Sequence, residues 1–381
     1  MSYSPPMAVS LPQPGDVIAG KFRIDAVIGK GGMGVVVAAR HLDLGQRVAI
    51  KFLSPEVANR GEAVARFQRE ARAAARIQSE HVVRVFDVAR LDNGVPYLVM
   101  EHLAGDDLHD LLETRGPLPI AEAVDYVLQA CEALAEAHAH GIVHRDLKPH
   151  NLFLIRRPDG SPLVKVLDFG ISKLRGSPEE QSLTGADQIL GSPRYMAPEQ
   201  LRSSKDVDRR ADLWALGVIL HRLLTASYPF PAAEIAALTA QIFFAPAVAL
   251  RELRPAAPPG LEAVILRCLA KAPDERPQDI AELARALLPF APPASAISVQ
   301  RIVGVRIAPA EPERPARPLG GLVEAATEIP VPRAPLPSDA TTLLLVRPPA
   351  PRARPRVMVV ALLALALLAL ALLLSALRLG R

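Results

Sequence analysis

At 381 residues, half of them hydrophobic, the chain exceeds one ordinary compact domain and suits a large domain with additions. Two cysteines exclude a disulfide-stapled scaffold or a cysteine-built zinc module, so Cys131 and Cys268 are expected as buried free thiols of a reduced compartment. Of the net charge of +4, none comes from residues 1–290, whose 33 basic and 35 acidic side chains argue against a nucleic-acid-binding face.

Residues 1–21 hold Pro5, Pro6, Pro12 and Pro14 and no apolar run, so a flexible segment without a signal peptide is expected. From Phe22 to Glu101 short β-branched runs predict strands at Val35–Ala39, Val48–Phe52, Val82–Val88 and Tyr97–Met100. An Ala-, Arg- and Glu-rich stretch predicts one helix over Glu62–Ile77. From Leu108 to Leu288 apolar residues recur at three- and four-residue spacing. Helices are predicted at Ala121–His138, Ala211–Leu224, Leu261–Leu269 and Ile280–Leu288. A small β-rich part followed by a larger helical part implies two lobes.

Residues 291–356 carry 14 prolines and no sustained period, which predicts a disordered linker. Val357–Leu377 then runs 21 residues without a charge, long enough at about 1.5 Å per residue to span a bilayer core of about 30 Å. Three arginines precede it (Arg352, Arg354, Arg356) and two follow (Arg378, Arg381), which favours a cytoplasmic N-terminal side. Only residues 378–381 follow, so no domain is expected beyond the membrane.

Chemistry is concentrated in a few runs. Ile28-Gly29-Lys30-Gly31-Gly32-Met33-Gly34-Val35-Val36 is a glycine-rich strand–turn–strand, in which backbone N–H groups can approach phosphate without an intervening Cβ. The β-branched residues after it disfavour a dinucleotide-binding turn, which would open a helix. Lys51 ends the apolar run Val48-Ala49-Ile50 and is placed to hold phosphates. Glu70 in the intervening helix could pair with it, with Glu62 and Glu80 as rivals. His144-Arg145-Asp146-Leu147-Lys148-Pro149-His150-Asn151 gathers an acid, a cation and an amide in one proline-punctuated loop. Asp168-Phe169-Gly170 follows the predicted strand Leu163–Leu167. With Asn151, Asp168 offers oxygen ligands suited to a hard cation such as Mg²⁺. Ala197-Pro198-Glu199 closes the next loop.

In their order and spacing these runs resemble the eukaryotic-type (Hanks-type) protein kinase domain, in the style of bacterial serine/threonine kinases, over residues 22–290, about seven-tenths of the chain. The resemblance implies an α+β bilobal fold with a β-rich N-lobe and a helical C-lobe. It implies an active ATP-dependent enzyme using Mg²⁺, or Mn²⁺ in its place, with protein hydroxyls as acceptors. Gly29, Gly31 and Gly34 would cover the phosphates within the loop from Ile28 to Val36. Lys51 would contact them and pair with Glu70. Asp146 would take the substrate proton and Lys148 would neutralise the transferred phosphate. Asn151 and Asp168 would hold the metal. Glu101–Leu103 would form the adenine-binding hinge after Met100, with Val36 and Ala49 above the base and Phe153 below. Asp212 would brace the catalytic loop and Arg276 would pair with Glu199.

Arg145 before the catalytic aspartate implies activation by a phosphate on the following loop, with Thr184 first and Ser182 and Ser177 behind it. The membrane helix would tether the kinase to the inner, plasma membrane or concentrate it as a homodimer for trans-autophosphorylation. An ATP-binding scaffold with little turnover and a small-molecule kinase are the rival readings.

Overall fold

The computed structural model describes residues 12–305 other than 32–33, 59–60, 92, 170–192 and 203–206. Side-chain alternation shapes the smaller part. β1 (Val17–Ile18), β2 (Phe22–Gly31), β3 (Gly34–His41), β4 (Arg47–Leu53), β5 (Val85–Arg90) and β6 (Pro96–Glu101) form an antiparallel sheet in the order β1-β2-β3-β4-β6-β5. One face of it packs Ile24, Val35, Val37, Val48, Ile50, Phe52 and Val99 into a core of their own. The period of two sends Val36, Ala38, Ala49 and Lys51 to the opposite face, where the register sets Val36 beside Lys51 and Ala38 beside Ala49. Part of that second face is covered by α2 (Gly61–Ala74), which follows the short α1 (Pro55–Ala58). Val64, Phe67 and Ala71, at helical spacing, bury against Leu53 and Leu98.

The larger part is built on two helices that are buried over most of their length. After β7 (Gly105–Asp107) and α3 (Leu108–Arg115) comes α4 (Ile120–Ala139), then β8 (Leu152–Arg156), β9 (Pro162–Val166) and α5 (Pro198–Arg202). α6 (Arg210–Thr225) crosses the centre, and α7 (Ile235–Phe244), α8 (Leu250–Leu253), α9 (Pro259–Cys268) and α10 (Ile280–Leu287) surround it. α4 and α6 share one core with Trp214, whose ring stacks on Phe230 at 5.5 Å. Each such buried large side chain stabilises by about 1.5–3 kcal/mol. At Gly217 a Cβ would stand 2.6 Å from the Cβ of Cys268, so glycine permits α6 and α9 to touch. Cys131 and Cys268 are buried and free as expected, and burial pushes both thiols up, Cys268 to about 12.

β7, β8 and β9 form a second small sheet, and Val82 bridges to Val166 beside it. The predicted helices are found within a few residues of their expected ends. The strand expected at Val82–Val88 begins at Val85 instead.

Two boundaries differ from expectation. Residues 12–21 are folded, not a flexible lead: β1 pairs with β2, Ile18 is buried in the small-lobe core, and Gly15 N–H donates to the Ile24 carbonyl at 2.9 Å. Residues 291–305 are likewise folded, not linker. Pro293 opens a turn that leads into α11 (Ala296–Gly304), where Val299 and Ile302, three apart, join the helical core. Pro292 and Pro293 sit where a helix start tolerates proline, so their presence did not signal disorder here. Among the described residues no helix is long and apolar enough to cross a membrane, and the expected span 357–377 lies outside them.

Candidate active site

The loop His144–Asn151 is fixed from below by one buried carboxylate. Asp212, fully buried in the first turn of α6, accepts the backbone N–H of His144 at 2.9 Å, that of Arg145 at 2.8 Å and His138 Nε2 at 2.8 Å. Burial opposes the charge, but these donors with His138 and His144 hold the carboxyl below its ordinary range. Just after these two N–H groups the chain bends, because Arg145 adopts φ 65°, a left-handed value that costs about 1 kcal/mol or more outside glycine.

The same bend carries Asp146 upward. Its carboxylate accepts Lys148 Nζ at 2.8 Å, and both side chains remain about a fifth exposed. Asn151 donates its amide to the Asp146 carbonyl at 2.8 Å, which leaves its Oδ1 as the free oxygen. Leu167 N–H donates to the Asn151 carbonyl at 2.9 Å and so ties the strand before Asp168 to the loop. The Leu167 carbonyl can only accept, so His144 donates through Nε2 at 2.8 Å and accepts Asp146 N–H on Nδ1 at 3.3 Å. Phe169 buries against the His144 ring at 5.0 Å.

Asp168, also left-handed at φ 57°, meets Lys51 from the small lobe at 2.7 Å. Burial works against the charged carboxylate, yet the Lys51 cation beside it, with His144 and Lys148, holds it below its ordinary range. Lys51 extends from the sheet face that carries Val36 and Ala49. Above it, Gly34 has no alternative: with φ 153°, a Cβ would lie 1.8 Å from the Phe52 carbonyl oxygen. Ile28 stands 52 % exposed on the glycine hairpin, and Val36 and Phe153 are half-buried. Leu103 lies half-buried in the unpaired stretch between β6 and β7. The Glu101 side chain is bound to Lys165 Nζ and Arg84 N–H, both at 2.7 Å, and its backbone N–H donates to the Arg84 carbonyl at 2.9 Å, so neither is offered to a ligand.

The donor set fits a hard cation. One carboxylate and one amide oxygen are what an ion that keeps most of its shell for water and phosphate requires.

The protein kinase domain family matches residues 22–287. The chain belongs to this family. Kinase pkn3 of Myxococcus xanthus is 42% identical over 267 residues, 69% of this chain and 48% of its own. Serine/threonine-protein kinase Pkn1 of the same organism is 45% identical over 71% of this chain and 38% of its own. The chain therefore spans half or less of the length of these relatives. Among solved structures, the Mycobacterium tuberculosis PknI kinase domain superposes with a TM-score of 0.58 at 29% identity, over 74% of this chain and all of that one.

Of the kinase residues expected from sequence, Lys51, Asp146, Lys148, Asn151 and Asp168 come together. Three expectations need qualification. Val35 was expected against the nucleotide, but it faces the small-lobe core on the side away from Val36, so only its backbone borders the cleft. Glu80 is not the partner of Lys51, because it is held by Arg157 and Arg301 at 3.0 Å each. Glu70 lies in α2, with its side chain outside the described residues, as are Gly32, Met33 and the loop hydroxyls Thr184, Ser182 and Ser177. Lys30 is exposed at the hairpin and Gly31 has open space around it.

Arg276 meets Glu199 in a bidentate pair at 2.7 and 2.8 Å, with Arg276 fully buried under Trp214. Sequence reading passed over His138 and Gln200. His138 reaches Asp212 across 74 residues of chain, and Gln200 donates to the Arg145 carbonyl at 2.8 Å. Neither lies in a local motif, so only the α4–α6 packing and the start of α5 reveal them.

Proposed function

We propose that the chain transfers the γ-phosphoryl group of ATP to serine and threonine hydroxyls of proteins. The observation that carries this reading is the meeting of Asp146, Lys148, Asn151, Asp168 and Lys51 at one cleft. The substrate hydroxyl oxygen forms a bond to phosphorus as the bond from phosphorus to the β-phosphate oxygen breaks. ADP leaves, and the hydroxyl proton passes to the Asp146 carboxylate. Lys148 holds the Asp146 carboxylate in place, and its charge faces the transferred group. Lys51 holds phosphate oxygens, with Glu70 as its partner, and the glycine hairpin covers them from above. Asn151 Oδ1 and Asp168 would hold Mg²⁺, which when bound neutralises charge on the phosphates. Ile28, Val36, Ala49 and Phe153 supply an apolar slot for the adenine, edged by the Glu101–Leu103 backbone.

Phosphate on Thr184, or on Ser182 or Ser177, regulates the enzyme. Arg145 supports this, since it stands beside the catalytic aspartate and its guanidinium already donates to the Val207 carbonyl at 3.1 Å. Residues 357–377 tether the enzyme to a membrane with the catalytic domain on the cytoplasmic side, supported by the uncharged run and its flanking arginines.

The test is phosphate incorporation by the full chain with ATP and Mg²⁺, followed by phosphosite mapping. Transfer to protein Ser or Thr, with loop sites modified, is expected. Transfer to a metabolite but to no protein would favour the small-molecule reading. Removal of residues 357–377 should move the enzyme to the soluble fraction, and unchanged membrane association would end the tether reading.

A further inference from the structure

The family's domain ends at residue 287, but the folded chain continues to α11, whose inner face packs on α4 through Val299 and Ile302. Ser295, buried just before it, donates to Asp125 of α4 at 2.5 Å and fixes where the helix starts. From the outer side of α11, Arg301 crosses to the loop that follows α2. It pairs with Glu80 Oε1 at 3.0 Å and Glu132 Oε2 at 3.4 Å. The two carboxylates differ in kind. Glu80 is half exposed, and a pair there alone contributes little. Glu132 is 7 % exposed in α4, where an ionised carboxylate needs cations around it. Its partners are His81 Nε2 at 3.4 Å, Ser298 and Arg301, and together they keep the carboxyl below its ordinary range against the cost of burial.

This network holds a short piece of chain at several points. His81 Nδ1 reaches the Val164 carbonyl at 2.9 Å, Val166 N–H donates to the His81 carbonyl at 2.7 Å, and Gln78 N–H donates to Glu136 of α4 at 2.6 Å. Four residues upstream of Gln78, α2 ends at Ala74. Between helix and loop lies a cavity of about 330 Å³, with Ser79, Glu80 and Glu136 on one side and Arg301, Ile302 and Val305 on the other. Across that gap helix and loop meet in an ion pair, Arg301 with Glu80.

We propose that Arg301 is a positioning residue for phosphoryl transfer. From outside the family's domain it clamps the Gln78–His81 loop to α4, and so fixes the α2 helix that carries Glu70 toward Lys51. This rests on Glu70 as the partner of Lys51. Arg301 touches neither nucleotide nor acceptor, so its loss should act on kcat and leave both KM values alone.

The experiment measures kcat and KM of the full chain for ATP and a mixed Ser/Thr test peptide. Arg301→Ala should lower kcat about 5-fold with both KM values within about twofold. Arg301→Lys should recover most of the loss. In a Glu70→Gln background Arg301→Ala should change kcat little, because both act through one contact. An unchanged kcat, an effect on KM alone, or an undiminished loss in the Glu70→Gln background would overturn the proposal. Full activity of Glu70→Gln by itself would overturn the Glu70 reading instead.

Discussion

The two halves of the cleft are held in opposite ways. The catalytic loop rests on buried, fully engaged groups: Asp212 accepts three donors and Arg276 grips Glu199 through two. The glycine hairpin above it presents exposed Ile28, open space around Gly31 and a Lys51 whose ammonium reaches across to Asp168. On the proposed function, the lower half is built before any substrate arrives and the upper half is left for a nucleotide to order. Phosphoryl transfer needs this division, because the proton acceptor must be preorganised and the phosphate cover must open for exchange.

Substitutions can break that contrast. The largest effect is expected at Arg276. Arg276→Ala leaves Glu199 without its buried partner and should cost about 3–5 kcal/mol of stability, measured by urea unfolding. Lys51→Met should spare stability and lower kcat/KM by about 10² to 10³, the scale of one lost electrostatic contact to the reacting group. A stability loss at Lys51 as large as that at Arg276 would erase the distinction between the halves. Gly34→Ala forces a Cβ onto the β4 backbone and should cost about 1–3 kcal/mol, with a rise in KM for ATP.

The smallest effect is in the acid limb of stability. Folding lowers the Asp212 carboxyl from its ordinary 3.8, so at acid pH the unfolded chain binds the more protons. Its contribution is complete above that value and drains away as pH falls through the folded one. Unfolding free energies of Asp212→Asn between pH 5 and pH 3 should therefore fall less steeply than those of the wild type.

Much of this was legible in the residues. The glycine hairpin, Lys51, the His144–Asn151 run, Asp168 and Glu199 announced both fold and chemistry, because phosphate handling restricts residue type at fixed spacing. What was illegible depended on distance or on facing. Val35 and Val36 are adjacent and chemically alike, and only the strand register assigns one to the core and the other to the cleft. His138 and Asp212 meet through packing of two helices that no local pattern pairs. Residues 291–305 were read by proline content, yet Val299 and Ile302 suffice to dock a nine-residue helix once α4 offers a surface.

The most direct test separates nucleotide binding from transfer in the full chain. Asp146→Asn should bind ATP with Mg²⁺ as tightly as the wild type, while peptide phosphorylation falls by about 10² to 10⁴, the range for a lost general base. Equal phosphorylation by the two proteins, or tight binding by the wild type with no transfer at all, would contradict the account.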